Sequence, residues 1–139
     1  MKKQQSTTNR RQRESRILAH ALFIAEDDET AIGLMALEGI GTFAGKIFLQ
    51  VSEGFTSRDG NRHQEDTVVP CAPGTTGHDL ADIVRSMQDV CALPDAHDIL
   101  GALLRKALPL GAIPASEISM MAEACRRGGA GAHINPFRH

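Results

Sequence analysis

The sequence predicts a mainly α fold: a small helical domain of about five helices, with a short β-hairpin around residues 46–71 as the one β element left open. Three observations predict it. Apolar residues recur at three- and four-residue spacing over most of the chain. Proline and glycine fall between those stretches. The chain has 139 residues, 42% of them apolar, which suits a single domain with a core of its own. The predicted organisation is a flexible basic arm over 1–11, a helical domain over 12–127 and a flexible tail over 128–139.

The first helix is expected from about Gln12 to Glu26, where Ile17, Leu18, Ala21, Leu22 and Ala25 share a face. Asp27 and Asp28 have the chemistry of N-caps for a second helix, and Glu29 suits its first turn. That second segment, residues 31–51, leaves almost no polar face. Ala31, Ile32, Leu34, Met35, Leu37, Ile40, Phe43, Ala44, Ile47, Phe48 and Val51 fill it. A helix of this kind is buried on most sides. Gly33, Gly39, Gly41 and Gly45 weaken it by roughly 1 kcal/mol each relative to Ala. The alternative reading ends a helix near Leu37, breaks it at Gly39-Ile40-Gly41 and starts a strand near Lys46–Val51. Asp59-Gly60 is a turn signal. Thr67–Cys71 fits a short edge strand that could pair with 46–51, since Pro70 removes a ladder donor.

The C-terminal half carries clearer punctuation. His78–Leu93 places Leu80, Ile83, Val84, Met87 and Val90 on one stripe, and Thr76 with Asp79 makes a capping-box pattern. Asp95 is expected to cap a helix running to Leu108, which Pro109 stops. Pro114 opens a last helix to about Arg127, terminated by Gly128-Gly129.

Charge is unevenly placed. The formal net charge is −2. Yet Lys2, Lys3, Arg10, Arg11, Arg13 and Arg16 face a single acid, Glu14, within the first 16 residues. The rest of the chain is acidic. A basic arm on an acidic body points to an anionic partner, with the cations as sequence-independent anchors on nucleic-acid backbone or an acidic protein. There is no Trp or Tyr, and there are five Phe, so single-stranded nucleic acid finds no stacking platform.

The chemistry-bearing residues form no strong pattern. Cys71, Cys91 and Cys125 are isolated and odd in number, which argues against a disulfide framework and fits a reducing, cytoplasmic setting. Cys91 and Cys125 fall on apolar stripes and read as buried small hydrophobes. Cys71 with His78 and Asp79 could in principle form a thiol site. His63, His78 and His97 show no zinc spacing, so no metal and no cofactor is expected. Gly39–Lys46 misses the phosphate-loop pattern at Ile40 and Ile47. The dinucleotide fingerprint fails for want of a preceding strand, since Ala31–Leu37 reads as helix. The helix pair 95–108 and 115–127 lacks a basic recognition face. No apolar run is long enough to span a bilayer.

The expected function is therefore non-enzymatic: a binding or regulatory protein whose basic arm contacts nucleic acid or an acidic protein. The alternative is an adaptor, chaperone, inhibitor or assembly component that binds protein through its apolar helices. A small thiol enzyme is the third reading. Residues 31–51 carry more apolar surface than one small domain hides, so a homodimer or a larger partner is expected there, with Ile32, Met35, Ile40, Phe43, Ile47 and Phe48 at the interface.

Overall fold

The helices expected at about 12–26 and over 31–51 are strands in their described parts, apart from a 3₁₀ turn, and a fourth strand covers 62–70. The computed structural model describes residues 15–25 and 29–134, with side chains through residue 128. Strand β1 spans Ser15–Ile24, β2 Thr30–Gly39, β3 Ile47–Thr56 and β4 Arg62–Pro70. They form one antiparallel sheet in the order β1-β2-β3-β4. Three helices come next: α1 at Gly77–Met87, α2 at Ala96–Ala107 and α3 at Ala115–Ile134. The fold is α+β, not a mainly helical domain. β3 and β4 pair within the 46–71 stretch left open as a hairpin, in a longer ladder than the strands expected at 46–51 and 67–71, from Phe48 opposite Pro70 to Thr56 opposite Arg62.

The correction has a physical cause. β1 and β2 carry apolar side chains on both faces. Ala19, Ala21 and Phe23 point one way and are buried, while His20, Leu22 and Ile24 alternate with them and are exposed. With aliphatics on both faces, a period of two leaves no polar trace, and helical spacing can be found by selection.

The register builds two faces. On the first, Ala19, Ala36, Leu49 and Val69 form one row, and Ala21, Leu34 and Val51 form the next. These join Leu80, Val84 and Met87 of α1, Leu100 and Leu104 of α2, and Ile118, Met121 and Cys125 of α3 in one core. Helices α1 and α2 lie on β1 and β2, and α3 packs against the two helices. A bulge between Ile17 and Ala19 brings Leu18 under Gly77 at the start of α1.

The second face holds the rows Ile17–Leu37–Phe48–Pro70, His20–Met35–Gln50–Val68 and Leu22–Gly33–Ser52–Asp66. None of these residues belongs to the helix-packed core. Leu37 and Gln50 are nonetheless buried there. Phe43 stands edge-on to Phe48 with centroids 6.0 Å apart. Phe43 ends a 3₁₀ turn, Gly41–Phe43, that links β2 to β3. The turn folds so tightly on Gly39 that a Cβ there would lie 2.1 Å from the Phe43 carbonyl oxygen. Only glycine fits.

The C-terminal half departs less from expectation. Asp79 N–H donates to Thr76 Oγ1 at 3.0 Å, capping α1 as predicted. Helix α1 stops at Met87, so Cys91 lies in the α1–α2 linker and not on a helical stripe. Asp95 holds the N-cap position of α2, but in a left-handed conformation and without a side-chain cap bond. Pro109 does end α2, within a 3₁₀ turn at Leu108–Leu110. Gly128 and Gly129 do not end α3. Gly128 lets α3 close on α2, since a Cβ there would meet Ile99 Cδ1 at 2.5 Å.

Candidate functional site

Strand order makes β1 one edge of the sheet. In an antiparallel ladder, alternate residues turn both backbone groups to the same neighbour. Ala25 N–H donates to the Thr30 carbonyl at 2.9 Å. Counting back by twos, Phe23 and Ala21 face β2. Ile24, Leu22 and His20 therefore face outward. Gln88 shows the same parity directly, because its Nε2 donates to the outward His20 carbonyl oxygen at 2.6 Å.

Beyond that capped carbonyl, the α1–α2 linker stands off the edge. A groove of about 440 Å³ lies between them. Leu22 and Ile24 form one wall, and Cys91, Leu93 and Pro94 the other. Asp95, His97 and Asp98 complete it where α2 begins. Asp95 has φ 67°, the one positive φ at a non-glycine among the described residues. Aspartate tolerates that region better than most residues. His97 Nδ1 lies 3.1 Å from Asp98 Oδ1. The Asp98 side chain is largely exposed and that of His97 largely covered.

A second cavity of about 330 Å³ continues past His97 and Asp98. Ile32, Glu53, Phe55, Gly101 and Arg105 help to line it. Phe55 stacks on His63 at 4.9 Å beside it.

The site predicted from sequence is scattered by this fold. Lys2, Lys3, Arg10, Arg11 and Arg13 lie outside the described residues. Arg16 is in β1, where its guanidinium pairs with Glu38 at 2.5 Å. Ile32 belongs to the helix-packed core, and Ile47 packs against it from the end of the sheet. Met35, Phe43 and Phe48 gather on the second face, half-buried. Ile40 is exposed in the β2–β3 link. The groove residues Leu22, Leu93 and Asp95 escaped sequence reasoning as site residues. An edge is a property of strand order, and no local pattern announces it.

The other candidate chemistry also takes its place. The strand missing from the dinucleotide pattern is present as β2. After Gly39 come a 3₁₀ turn and β3, so the helix whose N-terminus would bind phosphate is lacking. Cys71 bridges to Ile113 at the sheet end, and burial pushes its thiol up to about 11. That is the wrong direction for a nucleophile. His78 pairs with Asp82 one turn along α1 at 3.3 Å. Among the described residues no three His, Cys, Asp or Glu side chains gather as a metal site. No described helix is long and apolar enough to cross a membrane. No known protein family matches the chain, and neither does any curated protein or solved structure.

Proposed function

We propose that the chain is a non-enzymatic protein-binding domain of adaptor or regulatory type, which takes its partner along β1. One observation carries this reading. Ile17, Leu22 and Ile24 are 51%, 52% and 51% exposed on a single strand, and two of them wall the groove at α2. Aliphatics aligned in this way on an accessible strand are a contact surface more often than a solvated one. Met35 and Phe48, half-buried on the same face, extend it toward the sheet centre. Homodimerisation through this strand is the self-associating form of the same reading.

The charge split favours a second contact. Lys2, Lys3, Arg10, Arg11 and Arg13 would hold an anionic partner, either nucleic-acid backbone or an acidic protein surface. Specificity would then come from β1 and affinity at low salt from the arm.

The test compares the full chain with Ile17→Asp on the β1 face and with a variant in which the five arm cations are glutamine. Proteins retained by the wild-type chain and lost from Ile17→Asp support the reading. Duplex DNA binding that vanishes in the arm variant supports the second contact. Identical capture by wild type and Ile17→Asp would overturn the β1 assignment.

A further inference from the structure

Among the described residues, nothing beyond Gln88 guards the edge of β1. Natural sheets protect edges with charge, proline or a covering element. The opposite edge obeys that rule: Arg62, His63, Gln64, Glu65 and Asp66 of β4 are all exposed. β1 has no Lys, Arg, Asp or Glu between Ile17 and Ile24. Its outward backbone groups at Leu22 and Ile24 open onto a groove that is apolar along Leu22, Ile24, Leu93 and Pro94 and acidic where α2 begins.

We propose that β1 accepts an extended, lysine- or arginine-bearing segment of another protein as a fifth strand, with an aliphatic side chain of that segment in the groove. The proposal rests on the protein-binding reading and names its partner chemistry. Three features of the site fit it. An added strand would lie ~4.8 Å outside β1, on the side where Leu22, Ile24, Leu93 and Pro94 line the groove. Gln88 already fills the first outward position with a side-chain hydrogen bond to His20, so pairing starts at Leu22. The groove volume is within the range of formed binding sites.

Charge selects the occupant. Asp95 and Asp98 line the groove, and among the described residues no Lys or Arg lines it. The Asp95 carboxylate is not used to cap α2, which leaves it for a partner cation. The left-handed backbone at Asp95 turns the linker into α2 beside the groove. Backbone hydrogen bonds would supply general affinity, the groove would read one aliphatic side chain, and the two aspartates would read the cations beside it. This division of labour is that of strand addition at sheet edges generally.

The probe is the peptide acetyl-Lys-Thr-Val-Thr-Lys-Thr-amide, titrated into the isotope-labelled full chain and followed by amide NMR. Its counterpart with Glu in place of Lys is the charge control. The expected result is shifts at Leu22, Ile24, Leu93 and Asp95, weakening with salt and absent with the acidic peptide. Leu22→Pro removes an outward N–H while leaving the β2 ladder intact, and should weaken binding about tenfold or more. Should Leu22→Pro not fold, the Asp95→Lys, Asp98→Lys double variant makes the same test through charge. No shift along β1 at millimolar peptide, equal binding of both peptides, or self-pairing of β1 that excludes the peptide would overturn the proposal. If Ile17→Asp abolishes protein capture while Leu22→Pro does not, strand addition fails and the protein-binding reading stands.

Discussion

Gln88 and His20 are 68 residues apart in sequence, yet the Gln88 amide nitrogen donates to the His20 carbonyl oxygen at 2.6 Å. This bond ties the end of the helix layer to the outer edge of the sheet. Among the described residues, it also marks where the edge stops being occupied. From Leu22 onward the outward backbone groups face a groove and not a side chain.

Gln88→Ala should cost little, because the freed carbonyl lies at the surface and can take water. A loss of about 0.5–1 kcal/mol is expected. Urea unfolding of wild type and variant measures it. A loss several times larger would mean that Gln88 supports packing as well as the edge.

Gly39→Ala and Gly101→Ala should part company. The new methyl at position 39 would overlap the Phe43 carbonyl, so backbone must move. The expected loss is about 1–3 kcal/mol. At position 101 the nearest atom is the Ile32 Cδ1 tip at 3.4 Å, which can yield. Alanine also gains helix propensity there, by about 1 kcal/mol. Denaturation midpoints should therefore fall for the first and hold or rise for the second.

Thr76→Ala removes the side chain that accepts from Asp79 N–H. About 1 kcal/mol of stability should go with it. Thr76→Ser, which keeps an acceptor, should retain most of that. A thermal scan of the three proteins distinguishes the cap from a packing effect.

The half-buried Cys71 and buried Cys125 thiols set a pH dependence. Burial raises Cys71 from 9.0 to about 11. It does the same for Cys125, against a smaller opposing effect of Arg126. Above pH 9 the unfolded thiols lose protons that the folded ones keep. Stability is then fully present below pH 9 and is lost as pH rises toward 11. Urea midpoints across that window should fall, and Cys71→Ala should fall less steeply. Iodoacetamide should label both thiols slowly at neutral pH.

The helices were legible in the sequence because each has a wet face. In α1 the exposed Asp82 and Arg85 alternate with buried Leu80, Val84 and Met87, and Thr76 announces the start. β1 and β2 were not legible for the opposite reason. Phe23 faces the helices while Leu22 and Ile24 face outward, so β1 is apolar on both faces from Ala21 to Ile24. The arm was visible as charge. The groove was not, because it joins Leu22 to Leu93 across the fold.

Amide hydrogen exchange along β1 tests the unpaired edge most directly. Ala21 and Phe23, which donate into the ladder, should exchange slowly in the free protein, and Leu22 and Ile24 fast. Adding the cationic peptide should slow Leu22 and Ile24 alone. Uniform protection from Ser15 to Ile24 in the free protein would contradict an open β1 edge.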